Sequence, residues 1–174
     1  MIRSKKDEDM KKNLLLITAL LFLILGCNSE KANIKKMPTR FQSVGADQAE
    51  LLQEGKLKTS CKVCGMNLPK FYKTNHASDV DGQKQQFCSI HCLASTINEG
   101  KKIENMQVVN NEDLKFIDVK RAWYVVGSSK AGTMSKTSKY AFAHVTKAKS
   151  FAKEFGGKVM NFNAVIALAK QESK

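Results

Sequence analysis

Four cysteines constrain this chain more than any other feature. Cys61 and Cys64 form a C-x2-C pair, a 23-residue gap follows, and Cys88 and Cys92 form a C-x3-C pair. A fold that serves such a pattern either gathers two distant pairs around one ion or leaves four thiols to pair covalently. Cys61-Lys62-Val63-Cys64-Gly65 has the form of a knuckle, a tight turn whose glycine leaves backbone N–H groups free to point at thiolate sulfur. Cys88 stands just before an expected helix and Cys92 one turn inside it, where the positive helix end favours the thiolate form. Asp81-Gly82 between the pairs reads as a hairpin turn that returns the chain to Cys88.

The surrounding pattern repeats. Residues 70 to 109 read as a strand, the Asp81-Gly82 turn, a strand ending at Phe87, a helix from about Ser89 to Asn98 and a strand from Gln107 to Val109. The helix rests on Ile90, Leu93, Ala94 and Ile97, one apolar stripe at i, i+3, i+4 and i+7, with Gly100 just beyond its end. Residues 122 to 161 repeat that order. Strands Ala122–Val126 and Lys139–Ala143 lead to a helix capped by Thr146 that carries Ala148, Phe151, Ala152 and Phe155. Gly156-Gly157 stops it before the strand Lys158–Asn161. Phe87-Cys88 through Lys102-Ile103 overlies Phe142-Ala143 through Lys158-Val159 with one gap. The expected fold is therefore α+β: two small related ββαβ halves, approximately 58–112 and 113–174, with a last helix from about Asn163 to Lys170. A short helix is also expected near Asp47, with Glu50 three residues on, Leu51 and Leu52 inward and Gly55 as stop.

The N-terminus speaks to compartment. Arg3, Lys5, Lys6, Lys11 and Lys12 precede an apolar run from Leu14 to Leu25, which closes in Gly26-Cys27. Twelve residues suit a signal peptide and fall short of the ~20 that span a bilayer as a helix. Residues 1–26 are read as a lipoprotein signal peptide whose lipid attaches to Cys27, residues 27–45 as a lipidated, lysine-rich tether, and residues 46–174 as the folded domain. An uncleaved membrane anchor is the alternative, and both place the domain outside the cytoplasm. The first 26 residues hold five of the 29 basic and three of the 16 acidic side chains, so the remainder keeps a net +11. Its lysines are scattered instead of interleaved with stacking aromatics, which argues against nucleic acid and for an anionic membrane surface or an acidic partner.

A thioredoxin-like redox role for Cys61 and Cys64 is disfavoured, because no βαβ pattern leads into the pair and no helix start follows it, which leaves three uses for the cysteines. They form two disulfides, as an oxidising compartment permits, they hold a structural Zn2+ through four thiolates, or they bind Cu(I). Met66, two residues past Cys64, and Met134, in the polar loop Gly132-Thr133-Met134-Ser135, tilt the choice toward Cu(I), because thioether sulfur is a poor ligand for Zn2+ and a good one for Cu(I). His76, ten residues after Met66, is a candidate further ligand. His91 is expected at the surface and His144 as a local hydrogen-bonder, while Trp123 and Tyr124 read as core or sheet residues. No nucleophile with an adjacent base is visible, and a sulfur-ringed soft-metal site lacks the open position of catalytic zinc, so the chain is not read as an enzyme.

Cys61-Lys62-Val63-Cys64-Gly65-Met66, Ala122-Trp123-Tyr124-Val125-Val126-Gly127-Ser128, Met134, Tyr140-Ala141-Phe142 and Phe151-Ala152-Lys153-Glu154-Phe155-Gly156-Gly157-Lys158-Val159 together resemble the NosL family. Members of that family are nitrous oxide reductase accessory proteins, periplasmic lipoproteins that bind Cu(I). The resemblance runs from about Cys61 to Ile166. It implies Cys64, Met66 and Met134 as Cu(I) ligands with Cys61 close by, a two-half ββαβ architecture, and nitrous oxide reductase with its assembly or transport proteins as partners. The family loop commonly has Pro before and Gly after its methionine, where this chain has Thr133 and Ser135. The pair Cys88 and Cys92 lies outside the family pattern and resembles the metal-sensing fingers called TRASH domains. The alternative function is accordingly a zinc-finger-like, treble-clef lipoprotein serving as an interaction or metal-sensing module.

Overall fold

The structure is a computed structural model and describes residues 40–173. The leader, Cys27 and most of the tether lie outside the described residues. No helix among the described residues is long and apolar enough to cross a membrane.

The first half opens with a 3-10 helix, Pro69–Thr74, where a strand was expected. Pro69 sets the helical φ at its first position and removes a donor that a strand ladder would need. Strands β1 (His76–Val80) and β2 (Gln83–Phe87) then form an antiparallel hairpin. Both turn residues lie at positive φ, Asp81 at 49° and Gly82 at 82°, which is what a two-residue loop matched to the strand twist requires. Helix α1 (Ile90–Asn98) and strand β3 (Ile103–Val109) complete the unit, and β4 (Phe116–Asp118), not anticipated from sequence, adds an edge, giving the order β2-β1-β3-β4.

The second half repeats the plan with β5 (Trp123–Val126), β6 (Lys139–Phe142), α2 (Val145–Phe155) and β7 (Lys158–Asn161). Its sheet order, β6-β5-β7, matches β2-β1-β3 of the first half, and all pairings are antiparallel. The α+β, two-half expectation is met, as is the C-terminal helix α3 (Phe162–Glu172), whose first turn is capped by the Asn161 side chain accepting from the Ala164 N–H at 3.0 Å. Thr146 is not the cap of α2. The helix begins two residues earlier than that cap would give, with His144 at the N-cap, and the His144 ring is drawn instead to Glu112, Nδ1 to Oε2 at 2.9 Å.

The helix expected near Asp47 does not form. Its backbone donors are taken by distant side chains: the Glu50 N–H by the Tyr72 hydroxyl at 3.0 Å and the Leu52 N–H by Gln86 Oε1 at 3.0 Å. Buried Gln53 completes the splice, donating to the carbonyls of Leu57 and Ser60 and accepting from the Gln86 N–H. Backbone groups satisfied that way have no need of an i→i−4 ladder.

Three apolar clusters hold the domain. One lies between the halves and joins Ile90 and Ala94 of α1 to Val108, Tyr124, Ala141, Phe162 and Val165. A second, inside the first half, packs Leu68, Phe71, Phe87 and Leu93 around Cys61, Cys88 and Cys92. The third, in the second half, is aromatic: Tyr140 and Phe142 with Phe41 and Phe151 against them. Helix α1 is thus buried on two sides, one facing the other half and one facing the cysteines.

Candidate metal centre

The knuckle is built by two backbone hydrogen bonds. The Cys61 N–H donates to the Met66 carbonyl at 2.8 Å and the Gly65 N–H to the Cys61 carbonyl at 2.9 Å. Gly65 takes φ 73°, a conformation a side chain would resist. The turn leaves the Cys64 N–H pointing at the Cys61 sulfur, and the Cys88 N–H approaches the same sulfur from the start of α1. Hairpin β1–β2 delivers Cys88 directly after Phe87, and one turn of α1 places Cys92 beside it.

All four Sγ atoms lie within 4.8 Å of one another. Cys64 and Cys88 sulfurs are 3.5 Å apart, Cys88 and Cys92 sulfurs 3.7 Å. Four sulfurs at ~2.3 Å from a common ion in tetrahedral array stand about 3.8 Å apart, so the cage is of ion-binding size. The cysteines are free thiols. Cys61, Cys88 and Cys92 are buried at 2%, 0% and 1% exposure, and Cys64 is half-buried.

Electrostatics point the same way. Hydrogen bonds from the Cys88 and Cys92 thiols hold Cys61 as the thiolate, far below the ordinary thiol range. The same negative neighbour pushes Cys88 and Cys92 up, first through their hydrogen bonds to Cys61 and then through burial. One negative charge is therefore welcome in the cage and further ones are opposed, until a cation supplies the compensation that lets the remaining thiols ionise.

The methionines and His76 divide. Met66 joins the cluster, its Sδ 3.8 Å from Cys88 Sγ. Met134 is 43% exposed at φ 62°. Its loop is strapped on both sides. Gln42 Nε2 donates to the carbonyls of Ala131 at 2.8 Å and Gly132 at 3.1 Å, the Tyr140 hydroxyl donates to Ala131 at 2.6 Å, and Thr133 is buried. Thr74, which sequence reasoning passed over, ties that loop to the cage. Its hydroxyl lies 2.7 Å from the Cys88 carbonyl and 2.9 Å from the Thr133 hydroxyl. No local pattern marks Thr74, because both partners are remote in sequence.

His76 does not turn toward the sulfurs. It is buried at the boundary between the halves, Nδ1 3.1 Å from the Thr74 carbonyl and Nε2 3.1 Å from the Tyr124 hydroxyl, with its ring stacked on Tyr124. Burial lowers its pKa to about 4, so it stays neutral. Only Nδ1–H faces an acceptor that cannot donate, which leaves Nε2 to accept from Tyr124 and gives neither nitrogen a free lone pair for a metal. His91, expected at the surface, is half-buried, and its Nδ1 lacks a partner among the described residues. Of the two sheet aromatics, Tyr124 is buried while Trp123 is 39% exposed.

A two-half α+β frame with four cysteine sulfurs gathered at one point defines a small protein equipped to hold a metal ion. The family model for NosL matches residues 54–168, which take in the cage, the Met134 loop and both halves, and the chain belongs to the NosL family. Among solved structures, the crystal structure of the copper chaperone NosL from Shewanella denitrificans matches with a TM-score of 0.51 at 23% identity, over 64% of this chain and 93% of that one. At that identity the likeness is one of fold. Comparison with curated proteins gives no match.

Proposed function

We propose that this chain is a Cu(I)-binding metallochaperone lipoprotein, anchored through Cys27 to a periplasm-facing membrane surface, that assists copper-centre assembly of nitrous oxide reductase. The observation that carries the copper assignment is the Met66 thioether, 3.8 Å from Cys88 Sγ at the edge of the four-thiol cage. Thiolate and thioether together suit Cu(I), whereas Zn2+ gains nothing from the thioether. The role is delivery, not catalysis: the cage is closed by sulfur on the buried side, and half-buried Cys64 offers a partner's ligand a place to begin exchange. Partners on this reading are the reductase and its assembly or transport proteins, and family membership together with the NosL fold is what supports naming them.

Anaerobic metal analysis of the purified chain tests the ion, with about one equivalent of copper and little zinc expected. A cell lacking the protein under limiting copper tests the role. Reductase that still acquired its full copper complement would refute it. Replacing Cys27 with Ala should leave a larger precursor and abolish lipid labelling. A structural Zn2+ is the second reading, favoured by sulfur separations of 3.5 and 3.7 Å that suit a tetrahedral thiolate set.

A further inference from the structure

The knuckle carries more than ligands. Leu57 and Val63 are 52% and 42% exposed, large apolar side chains standing in water on either side of Cys61 in sequence. Lys56, Lys58 and Lys62 are exposed on the same two turns, against a single exposed carboxylate, Glu54, which pairs only with Lys58 at 3.5 Å. The tip of the neighbouring hairpin differs. There Lys84, Lys101 and Lys102 are matched by Asp79, Asp81 and Glu104, so the charge is locally cancelled. Lys56 and Lys62 have no ion-pair partner among the described residues. These basic and apolar side chains lie on the two turns that lead into and form the knuckle, which carries Cys64, the one of the four cage cysteines that is not buried.

We infer that the knuckle is the docking surface for a protein partner whose metal-accepting cysteines are framed by acidic side chains. The inference rests on the delivery role above and names where and with what chemistry delivery occurs. Charge complementarity sets the acidic frame, and Leu57 and Val63 supply an apolar centre inside a charged rim. Cys64 selects a protein over an anionic lipid, since a lipid headgroup would satisfy the lysines but offers only oxygen to a soft ion. Exchange at Cys64 is redox-neutral. The incoming thiol loses its proton as its sulfur binds copper, the Cys64 thiolate takes up a proton as it leaves, and the ion remains Cu(I).

The test uses the full-length chain in neutral detergent, loaded with Cu(I), and two synthetic peptides of identical length carrying a pair of cysteines flanked by aspartates in one and lysines in the other. At low salt, copper should pass to the aspartate peptide at least about tenfold faster than to the lysine peptide, with the gap closing as salt rises. Lys56→Glu with Lys62→Glu should erase that preference while leaving copper content unchanged, and Leu57→Ser with Val63→Ser should slow transfer to both peptides severalfold. Reversing two exposed lysines of α2, Lys147→Glu with Lys149→Glu, should change little. Equal effects from the α2 variant would overturn the proposal in favour of net charge alone. Loss of binding to phosphatidylglycerol vesicles, without loss of peptide preference, would overturn it in favour of a lipid face. A chain that loads zinc instead of copper would refute the copper assignment at the loading step, and the same peptide comparison run with zinc would still decide the surface.

Discussion

The two halves are built to one plan and filled with different matter. In each, a strand ends on phenylalanine, Phe87 or Phe142, and the helix begins three residues later, at Ile90 or Val145. At matched positions, the first half has Cys88 and Cys92 where the second has Ala143 and Lys147. The second closes its sheet with rings: Phe151 sits 5.1 Å from Phe142 and 4.8 Å from Phe155, and Phe41 meets Tyr140 edge-on at 5.2 Å. The first closes around sulfur. The ββαβ unit therefore does not need thiols to fold, and the cage replaces part of an apolar core with groups that an ion must satisfy.

That contrast can be broken at several points. Cys88→Ser should lower metal affinity at least a thousandfold, about 4 kcal/mol, while Ala143→Ser at the matched place in the other half leaves it unchanged; competition titration with a chromophoric chelator reads both. Phe142→Ala should do the reverse, destabilising the domain by about 3 kcal/mol in denaturant melts with metal stoichiometry intact, since it opens a cavity in the aromatic core. A third effect belongs to the seam. His76 has a folded pKa of about 4 against an ordinary 6.5, so the unfolded chain binds the extra proton first. Its contribution is fully present above pH 6.5 and is lost as pH falls toward 4, approaching 3 kcal/mol. His76→Gln should flatten that limb of the stability–pH curve. The smallest change sharpens the choice of ion. Met66→Leu should weaken copper roughly tenfold, about 1.4 kcal/mol, and leave zinc binding unaltered. Equal loss for both metals would mean that Met66 matters as packing.

Much of the plan was legible because it is written in short-range pattern. The stripe Ile90, Leu93, Ala94, Ile97, the Asp81-Gly82 turn and the Gly156 stop each state their structure within a few residues, and the repeat multiplies the signal. The cysteine spacing likewise announced a cage that the hairpin was able to close. What escaped depends on contacts across the fold. Gln53 and Tyr72 keep residues 49–54 out of a helix through bonds between residues 22 to 33 positions apart, and a buried glutamine looks in sequence like any surface one. The place of His76 escapes the sequence for the same reason. Nothing near it foretells that Tyr124, 48 residues on, lies against its ring.

The strapping of the Met134 loop bears on time. A non-glycine residue at φ 62° costs roughly 1–2 kcal/mol, and the bonds from Gln42 and Tyr140 to the carbonyls of Ala131 and Gly132, with the Thr74–Thr133 hydroxyl contact, fix the three residues that lead into it. The thioether on this fixed stem therefore searches only its own side-chain torsions, which turn over in picoseconds to nanoseconds, instead of waiting on loop rearrangement at nanoseconds to microseconds. Under the proposed copper role, the Met134 thioether would be offered to an arriving ion by side-chain rotation alone, with no loop rearrangement in between.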